Sequence, residues 1–217
     1  MGSRSLFLSV VIFISVLYGC SSQPVYLVNL SFVKDAIIRY HESGDFHRDA
    51  ERSVNEAIAQ FDKITPSEKS AVVFDVDETA LSNYEYNKNC DFGYVPEYFD
   101  MWIDSAKAPP VIEVLNLYNY LMDKNFRVIF LTARKENQFN ATYKNLVSAG
   151  FTKFDTLIVK DKNYSGISSE RFKSEKRTQL KEKGYKIEGT VGDQWSDLNG
   201  AYHGIQVKIP DFQYFIR

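Results

Sequence analysis

The chain has 217 residues, of which 44% are hydrophobic and 15% aromatic, and its formal net charge is −2. This composition provides for one sizeable hydrophobic core, so we expect one domain with at most a small insertion. The charge gives no indication of a surface for a nucleic-acid polymer, and two cysteines, Cys20 and Cys90, do not indicate a disulfide framework.

The N-terminus has the pattern of an export signal. Arg4 precedes an apolar stretch over residues 6–18, which is shorter than the roughly 20 residues that span a bilayer. We therefore expect a signal peptide over residues 1–19 and a polar tether over 20–24. The segment ending at Cys20 resembles the lipobox of bacterial lipoproteins, whose cysteine is lipidated. This predicts a lipid-anchored protein of the bacterial cell envelope, in the outer membrane or periplasm; ordinary secretion is the alternative.

Two helical patterns follow the tether, over residues 25–43 and 46–63. Val54, Ala57 and Phe61 recur at the spacing of one helix face, so we expect these helices to pack against the core. Strand-like and helix-like segments then alternate. The predicted strands are 71–75, 127–132, 156–159, 187–191 and 206–209, and the predicted helices are 110–125, 137–149, 172–183 and a short one after Trp195.

This alternation is typical of an α/β protein with a parallel sheet, helices on both faces and right-handed crossovers. The predicted fold is a Rossmann-like, doubly wound sheet with N-terminal helices, formed by one domain over residues 25–217. Residues 82–108, between the first strand and its helix, are too long for an ordinary βα loop, so we expect them to form a small cap. Pro96 is suited to begin a short helix there.

The cap segment is rich in aromatic residues, which makes it a candidate lid over a strand end. We expect some of them to stack on a substrate, with ordinary packing as the alternative. The candidates for stacking are Tyr84, Tyr86, Tyr94 and Trp102.

The first predicted strand carries the strongest signal for chemistry. Its apolar run ends in two carboxylates one residue apart, Asp75 and Asp77. A continuously apolar run indicates a buried parallel strand, and ligands of open α/β sheets bind beyond the carboxyl ends of such strands. Two neighbouring buried anions are costly unless a cation or a shared proton offsets their repulsion. The pair therefore predicts an active or metal site.

Three further polar groups follow later elements and should reach the same edge of the sheet. They are Thr132-Ala133-Arg134, Lys173, and Gly192-Asp193 with Asp197. Carboxylates suit a hard cation such as Mg²⁺, while a hydroxyl and an ammonium suit phosphate oxygens. The set predicts a phosphate site beside Mg²⁺.

The order of these motifs resembles the haloacid dehalogenase-like superfamily. Phe130-Leu-Thr-Ala-Arg134, Phe172-Lys-Ser-Glu-Lys-Arg177 and Gly192-Asp-Gln-Trp-Ser-Asp197 look like its acid phosphatase branch, which includes bacterial class B/C surface lipoproteins and plant vegetative storage proteins. The resemblance runs from about residue 31 to the C-terminal segment. It implies a Mg²⁺-dependent acid phosphatase acting on phosphomonoesters through an aspartyl-phosphate.

The resemblance also implies roles for individual residues. Asp75 would be the nucleophile and Asp77 the general acid and base, which predicts activity that is best below neutral pH. Asp75, the backbone carbonyl of Asp77, and Asp193 would bind Mg²⁺. The supporting residues would be Thr132, Ala133 and Lys173 for the phosphoryl oxygens, Asp197 beside the metal or Lys173, and Arg134 as an ion-pair member or a substrate contact.

Several alternatives accompany this interpretation. Asp75 and Asp77 alone are compatible with a helix cap or a solvated turn. Lys160 or Lys162 could replace Lys173 as the phosphate lysine, since both follow a predicted strand. The alternative functions are a storage or binding protein of low turnover and a phosphotransferase.

5′-Nucleotides and aryl phosphates are the expected substrates, because aromatic stacking accepts varied rings.

Overall fold

The structure, a computed structural model, describes residues 27–216. Its elements in chain order are α1 (Leu30–Glu42), α2 (Asp45–Phe61), β1 (Ser70–Phe74), α3 (Tyr84–Asn89), α4 (Pro96–Ser105), α5 (Ile112–Asp123), β2 (Arg127–Lys135), α6 (Phe139–Ser148), β3 (Thr156–Lys160), α7 (Ser169–Glu182), β4 (Lys186–Gly192), α8 (Trp195–Leu198) and β5 (Ile205–Lys208). The expected signal peptide and tether, with Cys20, lie outside the described residues. Among the described helices, none has the length and apolar character needed to cross a membrane.

The five strands form one sheet in the order β3-β2-β1-β4-β5, and all four pairings are parallel. Helices connect successive strands, and the strand order reverses beside β1, which is the pattern of a doubly wound sheet. The predicted α/β fold is therefore confirmed. Each predicted strand overlaps an observed one, with ends that differ by up to three residues.

β1 is buried along its whole length because helices cover both faces of the sheet. Val72 and Phe74 belong to the larger core, which includes apolar residues of α2 and α5. Ala71 and Val73 point to the opposite face, where they join a smaller core with Phe172 of α7. This two-sided burial explains why the sequence of β1 is continuously apolar rather than alternating.

The N-terminal helices differ in how much they contribute to the core. α2 buries Ala50, Val54, Ala57 and Phe61 on one face and contacts α5 and β5. In α1, the buried residue is Ile37, and most other positions are exposed. The expected packing against the core thus holds along α2, while α1 is attached through Ile37 and through Tyr40 and His41 near its end.

The connection between β1 and α5 contains two helices rather than the single one predicted. Pro96 lies in the first turn of α4, as expected. The N–H groups of a first turn have no partner within the helix, so proline loses no hydrogen bond there. α3, which the sequence analysis did not predict, ends at Asn89 and is only 6 residues long. Both helices belong to the cap segment that passes beside the carboxyl edge of the sheet.

Phe61 provides a test of the contact between α2 and the sheet. Its ring is 1% exposed and meets Phe126 edge-on at a centroid distance of 5.6 Å. We expect Phe61→Ala to lower the free energy of unfolding by about 3–5 kcal/mol, because the cavity left in a packed core cannot collapse fully. Phe32→Ala on α1, where the side chain is 68% exposed, should change it by less than about 0.5 kcal/mol. Urea unfolding followed by circular dichroism measures both, and equal losses would contradict the packing described.

Candidate active site

The site is built at the carboxyl edge of the sheet, beginning with the residues that follow β1. The backbone N–H of Asp75 still donates to the Val191 carbonyl of β4 at 2.9 Å, so the strand pairing fixes its position. The chain then turns, and the Leu81 N–H donates to the Val76 carbonyl at 2.8 Å. This turn brings Asp75 and Asp77 to the same side of the sheet edge, as their spacing predicted.

Lys173 links two of the predicted motifs. It projects from α7, its side chain is 4% exposed, and its ammonium donates to Asp75 Oδ1 and to Asp197 Oδ1, the latter at 2.6 Å. Asp75 Oδ2 accepts no hydrogen bond from the part of the chain that the structure describes. Lys173 thus fixes one oxygen of Asp75 and leaves the other available.

The loop after β4 positions the remaining carboxylates. Asp193 accepts hydrogen bonds from the Thr79 hydroxyl at 2.9 Å and from the Gln194 side chain at 2.8 Å. Asp197 Oδ2 accepts from the Gln194 backbone N–H at 2.9 Å, which closes the loop on itself. Gly192 permits this close approach, because a Cβ at that position would lie 2.5 Å from the Cβ of Asp197.

Arg177 of α7 also holds the loop after β4. Its side chain is completely buried, and its guanidinium donates to the carbonyls of Asp197, Asn199 and Ala201. Arginine has five N–H donors in a fixed plane, so one residue can satisfy several loop carbonyls at once. The arginine of the Lys-Ser-Glu-Lys-Arg motif is therefore a structural part of the site.

Asp77 is held by two neighbours. The Arg134 guanidinium donates to Asp77 Oδ1 from Nη2 at 2.7 Å, and its Nε lies 3.1 Å from Oδ2. Asn83 donates from Nδ2 to Oδ1 at 2.8 Å. Burial would raise the pKa of Asp77, but the charge and hydrogen bonds of Arg134, with the Asn83 bond, hold it below its usual value. Of the two predicted roles of Arg134, the structure shows the ion pair.

Burial and neighbouring charge raise the pKa values of Asp75 and Asp193. Burial raises the pKa of Asp75 to about 7, with Asp197 adding to the rise and Lys173 opposing it. Burial and the nearby carboxylates also raise the pKa of Asp193 well above its usual range. Carboxyls crowded in this way gain from a cation placed among them. One oxygen each of Asp75, Asp193 and Asp197 lie within 4.8 Å of one another, a donor set that fits a hard divalent cation.

A single cavity of about 410 Å³ brings the predicted polar residues together. It is lined by Asp75, Asp77, Thr132, Ala133, Arg134, Lys173, Asp193 and Asp197, among others. Lys160 and Lys162 do not line this cavity, and the Lys160 ammonium donates to the Ile167 carbonyl. The structure thus places Lys173 rather than either alternative beside Asp75.

The predicted stacking residues of the cap divide into two groups. Tyr94 lines the cavity, whereas Tyr84, Tyr86 and Trp102 do not. Tyr84 instead stacks on His41 of α1 at a centroid distance of 4.2 Å. Tyr86 and Trp102 pack against each other inside the cap. For these three residues the expected contact with substrate is not what the structure shows, because α1 and the cap interior cover their rings.

The segment after β5 forms a wall of the cavity that the sequence analysis missed. Gln213, Tyr214 and Ile216 line it. Gln213 donates to Glu78 Oε2 at 2.8 Å, and the Ile216 N–H donates to the Gln194 side chain at 3.2 Å. We call residues 211–216 the C-terminal strap. No local pattern predicted this wall, since its contacts join residues far apart in the sequence, such as Gln213 with Glu78, Asp211 with Gln194 and Phe212 with Tyr40.

Fold and site together define an α/β protein with a cavity suited to an anionic group and a divalent cation. Residues 23–217 match the family model of the HAD superfamily, subfamily IIIB (acid phosphatase), and the chain belongs to this family. The family expected from the four motifs is thus confirmed.

Three comparisons with plant proteins agree with this assignment. The chain is 36% identical over 148 residues to Acid phosphatase 1 of Solanum lycopersicum, covering 66% of this chain and 58% of that protein. It is 33% identical over 181 residues to a Stem 28 kDa glycoprotein of Glycine max, covering 80% of this chain and 71% of the relative. Vegetative storage protein 2 of Arabidopsis thaliana is 35% identical over 150 residues, and the match covers 66% of this chain and 56% of that protein.

The fold has also been observed in a solved structure. The crystal structure of a class C acid phosphatase from Bacillus anthracis with tungstate bound superimposes with a TM-score of 0.72, covers 86% of each chain and shares 22% sequence identity. At this identity, the comparison supports the fold.

Proposed function

We propose that this protein is a Mg²⁺-dependent acid phosphatase that hydrolyses small organic phosphomonoesters through an aspartyl-phosphate on Asp75. The observation that carries the proposal is the arrangement at Asp75. Lys173 holds its Oδ1, Oδ2 accepts no hydrogen bond from the described residues, and Asp75 lines a cavity together with Thr132 and Asp193. The family membership and the plant relative named Acid phosphatase 1 support the same activity.

In the proposed first step, Asp75 Oδ2 attacks phosphorus, the bond from phosphorus to the ester oxygen breaks, and the departing oxygen receives a proton from Asp77. In the second step, Asp77 removes a proton from water, which attacks phosphorus and releases inorganic phosphate and Asp75. Lys173 restrains the nucleophile during both steps. Thr132 Oγ1 accepts the Arg134 N–H at 3.1 Å, so its own proton remains free for a phosphoryl oxygen, next to the backbone of Ala133.

Asp75, Asp193 and the backbone carbonyl of Asp77 would hold the cation. When bound, Mg²⁺ supplies positive charge that lets an anionic nucleophile approach an anionic ester. Asp197 is assigned a supporting role, because Lys173 and the Gln194 N–H already occupy its two oxygens.

Burial would raise the pKa of Asp77, but the charge and hydrogen bonds of Arg134, with the Asn83 bond, hold it below its usual value, so the substrate is the proposed source of the proton that Asp77 transfers. The negative phosphoryl group raises the pKa of a neighbouring carboxyl, and an ester below its second pKa of about 6 carries a proton into the cavity. The acidic preference expected from the sequence thus has a second physical source in the substrate.

We further propose one phosphatase domain over residues 25–217 with a cap at 82–108, preceded by a signal peptide at 1–19 and a tether at 20–24. Relatives named as glycoproteins support export. The specific form of export that the sequence predicts is a protein of the bacterial cell envelope with a lipid anchor on Cys20.

A storage role of low turnover is the second candidate, and the similarity to vegetative storage proteins favours it. The two candidates differ in what they require of Asp75. A storage protein needs no nucleophile, whereas a phosphatase depends on Asp75 being present and oriented. A phosphotransferase would keep the first step only and would not need Asp77 to activate water.

The first test replaces the nucleophile. We expect Asp75→Asn to reduce the hydrolysis of p-nitrophenyl phosphate at least about a thousandfold, because an amide cannot form the acyl phosphate. Far-UV circular dichroism should be unchanged. Asp104→Asn, at an exposed position of α4 outside the cavity, is the matched control and should retain full activity.

A chelator provides the accompanying control. EDTA should abolish the activity of the unsubstituted protein, and added Mg²⁺ should restore it, whereas Asp75→Asn should not recover. Undiminished hydrolysis by Asp75→Asn would refute the proposed nucleophile. Absence of any hydrolysis in Mg²⁺ would favour the storage role.

The pH dependence tests the proton supply. We expect kcat/KM to be highest below about pH 6 and to fall as the pH rises, since the ester then loses the proton that Asp77 needs. A pH–rate profile between pH 4 and 9 measures this. A rate that rises steadily through neutrality would contradict the role of Asp77 as general acid.

The aromatic lining of the cavity favours an aromatic leaving group. Phe92, Tyr94 and Phe99 of the cap line it, as do Tyr214 and Ile216 of the C-terminal strap. We expect KM for adenosine monophosphate to be about tenfold or more below that for glycerol phosphate, since one stacked ring contributes about 1–3 kcal/mol. Tyr94→Ala should reduce this difference, and Tyr98→Ala, at a 59% exposed position outside the cavity, should not. Equal KM values for the two esters would remove the support for nucleotide or aryl substrates.

A further inference from the structure

Asn83 connects the cap to the site, although no motif indicated it. It lies just before α3 and is 2% exposed. Its Nδ2 donates to Asp77 Oδ1 at 2.8 Å, and its Oδ1 accepts from the Trp102 indole N–H at 2.7 Å. Its backbone N–H donates to Glu78 at 3.0 Å. These bonds place one buried amide between the cap helix α4 and the proposed acid and base.

The chemistry of the two neighbours fixes the orientation of this amide. The Trp102 indole N–H can only donate, and the ionised Asp77 carboxylate can only accept. The amide oxygen of Asn83 must therefore face Trp102, and its NH₂ group must face Asp77. If the amide rotated by half a turn, its NH₂ group would face the Trp102 N–H, donor against donor. Its oxygen would then face the Asp77 carboxylate, acceptor against acceptor. The cap thus determines which group Asn83 presents to the site.

The bonds to Asp77 are unequal between its two oxygens. Oδ1 accepts from Asn83 and from Arg134 Nη2, at 2.8 and 2.7 Å. Within the described part of the chain, Oδ2 accepts only the Arg134 Nε–H, at 3.1 Å, and shares it with Oδ1, which lies 3.2 Å from the same nitrogen. Among the described residues, Oδ2 is therefore the less occupied oxygen and the one that can exchange a proton with a leaving group or with water.

The helix that carries Trp102 is itself attached to the end of β2 and the residues after it. Asp100, two residues earlier on α4, accepts from the Gln138 side chain at 2.8 Å and from the Lys135 ammonium at 2.7 Å. Trp102 also packs on Tyr86 inside the cap. The indole N–H that orients Asn83 is thus held on a braced helix rather than on a free loop.

We propose that Asn83 is a positioning residue, oriented by Trp102, that occupies Asp77 Oδ1 and thereby directs Oδ2 at the oxygen of the leaving group. The proposal rests on the acid and base role proposed for Asp77. It gives the cap a part in the chemistry that is separate from contact with substrate, and it gives Trp102 a function although its ring does not reach the cavity.

A correctly positioned acid matters most for a poor leaving group. The dependence of the rate on the leaving group therefore distinguishes a positioning role of Asn83 from a structural one. An alkoxide needs a proton as the bond breaks, whereas p-nitrophenolate departs without one. The relevant quantity is kcat/KM, because it covers the steps up to departure of the leaving group. A structural defect lowers kcat/KM for both esters alike; a misplaced acid lowers it selectively for the alkyl ester.

The experiment compares glycerol phosphate with p-nitrophenyl phosphate in the presence of Mg²⁺. We expect Asn83→Ala to lower kcat/KM about 10- to 100-fold for glycerol phosphate and less than about threefold for p-nitrophenyl phosphate. Trp102→Phe, which removes the indole N–H and part of the ring but keeps an aromatic side chain, should produce a smaller loss with the same selectivity. Tyr98→Phe, at a 59% exposed position of the same helix outside the cavity, is the control and should change neither value.

A double variant separates this inference from the proposed function. In the Asp77→Asn background, Asn83→Ala should add no further selective loss, because the group that it positions is gone. Equal losses for both esters in Asn83→Ala and Trp102→Phe would overturn the positioning role while leaving the phosphatase proposal intact. Failure of the unsubstituted protein to hydrolyse either ester would instead overturn the proposed function. If Asn83→Ala melts below the assay temperature, Trp102→Phe carries the comparison.

Discussion

The buried ammonium of Lys173 is the contact on which the rest of the site depends. Asp75 and Asp197 come from different crossovers, and each would be an uncompensated buried anion without it. The charge of both carboxylates outweighs the effect of burial and raises the pKa of Lys173, so the ammonium stays protonated. Asp197 in turn holds the Gln194 N–H, so the same cation also orders the loop after β4.

The two acidic residues proposed to carry the reaction are held by cations of different chemistry. Asp75 faces an ammonium, a compact charge on a flexible stem that can also turn towards a phosphoryl oxygen. Asp77 faces the planar guanidinium of Arg134, which is anchored by its bond to the Thr142 hydroxyl at 3.1 Å. The nucleophile is thus held by a contact that can be shared with substrate, and the acid by one that stays in place.

The sequence predicted the sheet and the polar residues beyond its strands, because both follow from local patterns. A buried parallel strand requires an apolar run, and its carboxyl end determines where the next polar residue lies. The contacts of Asn83 could not be predicted in the same way, since they require Trp102 to fold back onto it. The orientation of the aromatic residues of the cap could not be predicted either. Tyr84 does not line the cavity because its ring stacks on His41 of α1, a contact between residues far apart in sequence.

The C-terminal strap lies after the last strand and contributes no pairing to the sheet. It is attached by side-chain contacts such as those of Gln213 and Gln194, while the core beneath it is complete without these residues. Substitutions in this segment can therefore reshape one wall of the cavity at small cost in folding free energy. Exchanging Tyr214 or Ile216 can therefore alter which group the cavity accepts, while the sheet and the carboxylates beyond its strands keep their positions.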